Sequence, residues 1–183
     1  MRYSQIRSMD ISNGENIGIS LFTQGCPFHC YNCFNSETWD FNGGKEWNND
    51  VKEKFLKLIN QPHIKRVSIL GGEPLYKNNL SDLNSLIHEI NISFPEKTIW
   101  LYTGYTFDEL KCKHNEYKYT PFDPIADEWL TRWEIISMCN VLVDGEYIDA
   151  ERDITLKWRG SKNQRVVDVQ KSLAEDKIVL YCD

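Results

Sequence analysis

No stretch of the 183 residues is long and apolar enough to cross a bilayer, so a membrane-spanning helix is excluded. The first residues, Met1 to Glu15, lack the apolar run of a secretion signal, and the expected compartment is the cytoplasm. Positive charge is in short supply: 21 Lys and Arg against 27 Asp and Glu leave a net charge of −6. That balance gives no support to broad binding of nucleic acid or of an anionic membrane surface. Internal repeats and low-complexity linkers are missing too, so residues 1–183 are expected to form a single domain large enough to bury a core. Neither a Gly-x-Gly-x-x-Gly nor a P-loop pattern occurs, and no Ser–His–Asp or paired-carboxylate constellation is apparent. Six cysteines would suit a secreted disulfide scaffold, but the length, the missing signal and the clustering of three of them argue for a reducing compartment and a metal.

The periodicity of the chain predicts strands alternating with helices. Ile17–Thr23 reads as a strand, and Gln24 to Asn49, rich in Cys, Asn, Gly and Pro, as a long surface loop of the kind that carries function. Val51, Phe55, Leu58 and Ile59 share one face of a helix from Asp50 to Asn60. A buried strand over Arg66–Leu70 ends in Gly71-Gly72-Glu73-Pro74. A second helix runs through Leu80, Leu83, Ile87 and Ile90, and a third strand over Thr98–Tyr102. A short helix is expected at Thr106–Lys111, then a polar loop or insertion as far as Pro124. Trp129, Leu130, Trp133 and Ile136 mark another helix, Asn140–Asp144 a fourth strand, and Lys177–Tyr181 a final one. Such alternation predicts an α/β fold of βαβ units with a mostly parallel sheet, whose sites gather at the carboxyl ends of the strands.

Two of those strand ends carry the chemistry. Gly25-Cys-Pro-Phe-His-Cys-Tyr-Asn-Cys-Phe-Asn35 has the spacing C-x3-C-x2-C. Thiolates are soft ligands that suit iron–sulfur clusters and zinc. Cys26, Cys30 and Cys33 have no fourth cysteine nearby, since the others are Cys112, Cys139 and Cys182. An incomplete set leaves one metal position open, whereas structural sites are usually closed. Zinc, with His29 or a distant cysteine as fourth ligand, stays open on spacing alone. The second strand end, Gly71-Gly72-Glu73-Pro74-Leu75, lets backbone approach a ligand closely, or is a plain turn with Pro74 starting a helix.

Together the cysteine loop and the Gly-Gly-Glu-Pro turn resemble the radical S-adenosylmethionine superfamily. Within it, the loop followed by Glu37-Thr-Trp-Asp40 is similar to the activating proteins of anaerobic ribonucleoside-triphosphate reductase. Thr103-Gly104-Tyr105, Val143-Asp144-Gly145 and Trp158-Arg-Gly-Ser-Lys-Asn-Gln-Arg165 resemble the same family. The resemblance runs to about Val169, with residues 111–128 its least matched part. It implies a partial (β/α) barrel and a [4Fe-4S] cluster held by Cys26, Cys30 and Cys33. It implies S-adenosylmethionine on the open iron, its amino group met at Gly71, Gly72 and Glu73. Many members have an aromatic residue where Asn32 stands, so the adenine contact is expected from Asn32, Cys33 and Phe34, mainly their backbone. The implied activity is electron transfer from flavodoxin or a similar donor, cleavage of S-adenosylmethionine, and formation of a glycyl radical on the reductase. No catalytic side chain beyond the cluster is expected. By the same resemblance Asp144 is a candidate for contact with the cofactor or the substrate, and Arg159, Lys162 and Arg165 are candidates for binding the cofactor carboxylate or the partner protein, with a solvated turn as the alternative. Open alternatives are another small radical enzyme (a 7-carboxy-7-deazaguanine synthase or a different glycyl-radical activase) and a non-catalytic zinc-binding interaction module.

Overall fold

The computed structural model describes residues 1–120 and 123–182. Its frame is one eight-stranded sheet: β1 Arg2–Asp10, β2 Gly18–Thr23, β3 Lys45–Glu46, β4 Arg66–Gly71, β5 Thr98–Tyr102, β6 Val141–Asp144, β7 Arg165–Asp168 and β8 Leu180–Cys182, in the order β3-β1-β2-β4-β5-β6-β7-β8. The helices are α1 Asn49–Ile59, α2 Leu80–Ser93, α3 Phe107–Tyr117, α4 Pro124–Ser137 and α5 Val169–Glu175. None of them is long and apolar enough to cross a membrane.

The α/β class is as expected, but the mostly parallel sheet is not. Only β2, β4, β5 and β6 run parallel, while β1, β3, β7 and β8 attach antiparallel at the two edges, so antiparallel pairings predominate. The reason lies in the connections. A parallel neighbour needs a crossover of a dozen or more residues, usually a helix. β1 and β2 are joined by the seven residues 11–17, too few for one. Between β6 and β7 the chain has only a short 3-10 turn at Asp149–Glu151 and no amphipathic helix, so it returns antiparallel. The order is that of an open sheet and by itself shows no partial barrel.

Strand side chains alternate between two environments, as the pleat requires. Ile19 and Leu21, Val67 and Ile69, Ile99 and Leu101, Leu142 and Val167 join one core with Phe55 and Ile59 of α1, Leu83, Leu86, Ile87 and Ile90 of α2, and Ile135 and Ile136 of α4. Each fully buried Leu, Ile or Phe there contributes roughly 1.5–3 kcal/mol. The alternate residues Trp100, Val141, Val143 and Val166 form a smaller cluster on the other face with Tyr102, Trp158 and Cys182.

Within the expected loop at 111–128, residues 111–117 and 124–128 are helical. α3 continues to Tyr117, capped by the Thr106 side chain, which accepts from Glu109 N at 3.1 Å. α4 begins at Pro124, with Asp123 accepting from Ile125 N at 2.8 Å. Residues 121 and 122 of that expected loop lie outside the described residues. α3 buries only Phe107 and Leu110, so most of its sequence carries no apolar period to read. Caps and a Pro at the first helical position were the available signal.

One buried charge ties the edge of the sheet to its centre. Arg66, wholly buried at the start of β4, donates to Asp10 O at 2.8 Å, to Asp10 Oδ1 at 3.3 Å and to Glu15 O at 3.1 Å, and also to Asn13 O and Ser68 Oγ. Gly14, at φ +132°, passes so close that a Cβ would lie 2.6 Å from Arg66 Cδ. The guanidinium thereby fixes the 11–17 connection on the face that carries the site. Arg66→Met takes from Asp10 its buried cation, leaving only the part-exposed Arg7 at 3.8 Å, and is expected to lower stability by about 3 kcal/mol, read as a lower urea midpoint.

Candidate metal centre

The cysteine loop begins where β2 ends and folds back on itself. Gly25 N donates to Thr38 O at 2.7 Å and Cys26 N to Trp39 O at 3.2 Å, closing the loop through the 3-10 turn Ser36–Thr38. His29 and Asn32 take left-handed backbone, φ +49° and +55°, an uncommon conformation that coils the intervening residues tightly. Cys33 N donates to Cys30 O at 3.0 Å. The result is that Cys26, Cys30 and Cys33, none of them in a disulfide, all border one cavity of about 530 Å³. A larger open groove of about 890 Å³, bordered by residues of α2 and α4, is bordered by no cysteine.

The opposite wall is the Gly-Gly-Glu turn after β4. Gly72 N donates to Thr23 O at 2.9 Å and Glu73 N to Gly25 O at 2.8 Å. A Cβ on Gly72 would sit 2.4 Å from Gly25 O, and Gly71 adopts φ +106°. The paired glycines therefore bring the turn against the root of the cysteine loop. Glu73 is 1% exposed, and both its oxygens are engaged: Oε1 accepts from Thr103 Oγ1 at 2.7 Å and Leu75 N at 2.8 Å, Oε2 from Gly104 N at 2.9 Å. Burial pushes its carboxyl up to about 7, against those hydrogen bonds, which lower it. Glu73 thus joins the turn after β4 to the turn after β5. Thr103 and Gly104, readable from sequence only as a turn, become part of the cavity wall.

The third wall follows β6 and touches the cysteine loop. Cys30 Sγ lies 3.8 Å from Glu146 Oε2, Asn32 Nδ2 donates to Asp149 Oδ2 at 3.1 Å, and the rings of Phe34 and Tyr147 are 5.2 Å apart. Glu146, Tyr147 and Asp149 were not singled out in the sequence. The signal was an aromatic-acidic run directly after a strand end. The Trp158–Arg165 segment braces this wall: Gln164 accepts from Gly160 N at 2.9 Å and donates to Gly145 O at 2.9 Å, and Asn163 donates to Glu146 O at 2.7 Å. Asp144 is not free for a ligand. It is buried, paired with Arg165, and accepts from Phe107 N at 2.7 Å.

The donor set fits a cluster better than a single ion. Cys112 is exposed on α3, Cys139 is buried in the main core and Cys182 packs on β8, so no fourth thiol borders the cavity among the described residues. His29 packs on Trp39 at 4.8 Å and does not border the cavity. A cubane spreads three thiolates over three irons and leaves the fourth iron for an outside ligand. Burial pushes the Cys26 thiol up to about 11, helped by the nearby Glu73, and raises that of Cys30. Metal binding must therefore displace protons from these thiols.

Residues 12–167 match the family described as a 4Fe-4S single cluster domain, which defines the class of protein. The relatives are more particular. A Salmonella typhi protein named anaerobic ribonucleoside-triphosphate reductase-activating protein is 34% identical over 168 residues, 91% of this chain and 97% of that one. Its namesakes from Escherichia coli K12 and Enterobacteria phage T4 are 33% and 30% identical, across 91% of this chain and 97% and 93% of their own. The chain belongs to the family of anaerobic ribonucleoside-triphosphate reductase-activating proteins.

Two outcomes follow from the walls of the site. Gly72→Ala is expected to push the turn off Gly25, with reconstituted iron and sulfide per chain falling well below wild type. For Glu73, whose folded carboxyl titrates near 7 against 4.5 for the free group, the folded chain between those values holds a proton that the unfolded chain has lost. Its contribution to stability is full below 4.5 and declines as pH rises through about 7. Urea titrations across that range should show Glu73→Gln with a flatter pH dependence than wild type.

Proposed function

We propose that the chain is a radical S-adenosylmethionine activase that generates a glycyl radical on an anaerobic ribonucleoside-triphosphate reductase. The observation that carries this reading is the incomplete thiol set: three cysteines and no fourth, on one cavity with the Gly-Gly-Glu turn. When bound, a [4Fe-4S] cluster supplies the single electron that breaks the sulfur–C5′ bond of S-adenosylmethionine, giving methionine and a 5′-deoxyadenosyl radical that takes hydrogen from a glycine of the reductase.

The protein's part is binding, orientation and shielding. Cys26, Cys30 and Cys33 hold the cluster. The backbone at Gly71 and Gly72 receives the methionine amino group, and Asn32, Cys33 and Phe34 meet the adenosine. Glu73 fixes the turn that does the binding, since both its oxygens are already accepting hydrogen bonds. The segment from Glu146 to Arg165 lies against one side of the cysteine loop, through Glu146, Tyr147 and Asp149. Electrons come from flavodoxin or a similar donor. A cluster of this kind with free thiols suits the reducing cytoplasm. Residues 1–183 act as one domain, with the parallel strands β2, β4, β5 and β6 as the start of a partial barrel.

Anaerobically reconstituted protein, given S-adenosylmethionine and a reductant, is expected to release 5′-deoxyadenosine. With the reductase present it should also give a glycyl radical by electron paramagnetic resonance. Cys30→Ala should abolish both. Zinc without sulfide in the reconstituted protein, or no 5′-deoxyadenosine, overturns the proposal.

A further inference from the structure

Two loop segments border the thiol cavity besides the cysteine loop and the strand-end turns. One is the connection between β1 and β2, through Ser12 and Asn13. The other follows the 3-10 turn at Asp149–Glu151, through Asp153, Ile154, Leu156 and Trp158. Ile154 in this second segment is 85% exposed, and Trp158 is left-handed at φ +59°. That conformation is costly for a bulky residue and persists only where the surroundings over-determine it. Here the surroundings are aromatic. Trp158 lies edge-on to the buried Trp100 at 4.9 Å and to Tyr181 at 6.1 Å, and Tyr181 lies edge-on to Trp100 at 5.1 Å. Edge-to-face pairs at such separations attract beyond the area they bury.

Tyr181 also reaches the first segment. Its hydroxyl donates to Glu15 Oε2, and Glu15 stands two residues after Asn13. A hydroxyl bonded to a carboxylate is among the stronger hydrogen bonds. Gly14, between Asn13 and Glu15, passes so close to the same Trp100 that a Cβ there would lie 2.8 Å from the indole ring. One side chain thus bridges both segments of the cavity border. Tyr181 is the middle residue of β8, which pairs antiparallel with β7 and lies beyond the residues 12–167 matched by the cluster-domain family. The strand is reached through a left-handed turn at Asp176 and is pinned at Val179, whose N–H donates to Ser172 Oγ at 2.9 Å and whose carbonyl accepts from Asp168 N at 2.9 Å. It buries little of its own, since Leu180 is 44% and Tyr181 37% exposed. Its contacts go instead to the cavity border.

We propose that β8 is a clasp on the cavity: Tyr181, by its ring on Trp158 and its hydroxyl on Glu15, holds the two segments in place and so acts as a positioning residue for S-adenosylmethionine. The clasp stands on the contacts alone; the positioning of that ligand rests on the function proposed above. A loosened border binds more weakly because the ligand must order the wall as it enters.

The test measures two quantities on anaerobic, cluster-loaded protein without reductant: hydrogen exchange by mass spectrometry with no ligand added, and equilibrium dialysis of S-adenosylmethionine. In Tyr181→Ala, amides of residues 153–160 are expected to exchange about tenfold faster, while those of β4 and β5 keep their wild-type rates. S-adenosylmethionine should bind about three- to tenfold more weakly, with iron and sulfide per chain unchanged. Tyr181→Phe and Glu15→Ala each remove the hydroxyl bond alone. Both should loosen residues 12–16 and weaken binding by a smaller factor, and the double variant should lose no more than either single one, as a shared interaction requires. Glu15→Gln keeps an acceptor and should recover most of the loss. Unchanged exchange at 153–160 in Tyr181→Ala, or faster exchange across the whole sheet, overturns the clasp. Local loosening with unchanged affinity overturns the positioning role. If Tyr181→Ala does not fold, Tyr181→Phe and Glu15→Ala decide, and no loosening at 12–16 overturns the clasp. Wild-type protein that binds no S-adenosylmethionine overturns the proposed function, while the exchange rates still judge the clasp.

Discussion

A Cβ on Gly72 would lie 2.4 Å from the carbonyl oxygen of Gly25, and the site depends on the contact that this vacancy permits. Through it the end of β4 touches the root of the cysteine loop, and Gly72 N and Glu73 N satisfy the carbonyls of Thr23 and Gly25. The cysteine loop itself has little regular structure. It is anchored by such backbone bonds and by its own 3-10 turn. From the Gly-Gly contact the order passes sideways through the Glu73 carboxylate to Thr103 and Gly104, where Gly104 in turn leaves room for Phe28 of the cysteine loop. Three consecutive parallel strands, β2, β4 and β5, thus present their carboxyl-terminal turns as one wall, which is where ligand sites of such sheets form.

The charges around the site are mostly spent on structure. Asp144 and Arg165 hold β6 to β7, Arg66 and Asp10 hold the β1–β2 connection, and Glu73 holds two turns. Buried pairs of this kind add little net stability compared with apolar packing, but breaking one leaves an uncompensated charge. Their effect here is placement: the turns that border the cavity each carry or contact one member of such a pair or clamp.

The parallel heart of the sheet was legible because its strands are buried on both faces and end in Gly, Thr-Gly or Asp-Gly punctuation. The edges were not. β1 reads Arg-Tyr-Ser-Gln-Ile-Arg-Ser-Met-Asp, a mixed polar run with no clean alternation, and its partner lies seven residues on. α3 lies on the surface with two buried residues, so its helical period is invisible. The thiols and the Gly-Gly-Glu turn were legible from spacing and residue type. The roles of Glu73 and Asp144 were not, because a carboxylate aimed at a ligand and one accepting backbone N–H groups look alike in sequence. Only the position of the surrounding donors separates them.

The arrangement of the site along the chain has a consequence for biosynthesis. Cys30 and Glu146, which touch at the border of the cavity, are separated by 116 residues. At a synthesis rate of roughly 5–20 residues per second, the thiols leave the ribosome on the order of ten seconds before the segment that touches them. When the cysteine loop is made, three of the four parallel strands, β4, β5 and β6, are still to come. Loading of metal and sulfide onto a finished wall is therefore a late event in the life of the chain. Until then the thiols are open to oxidation.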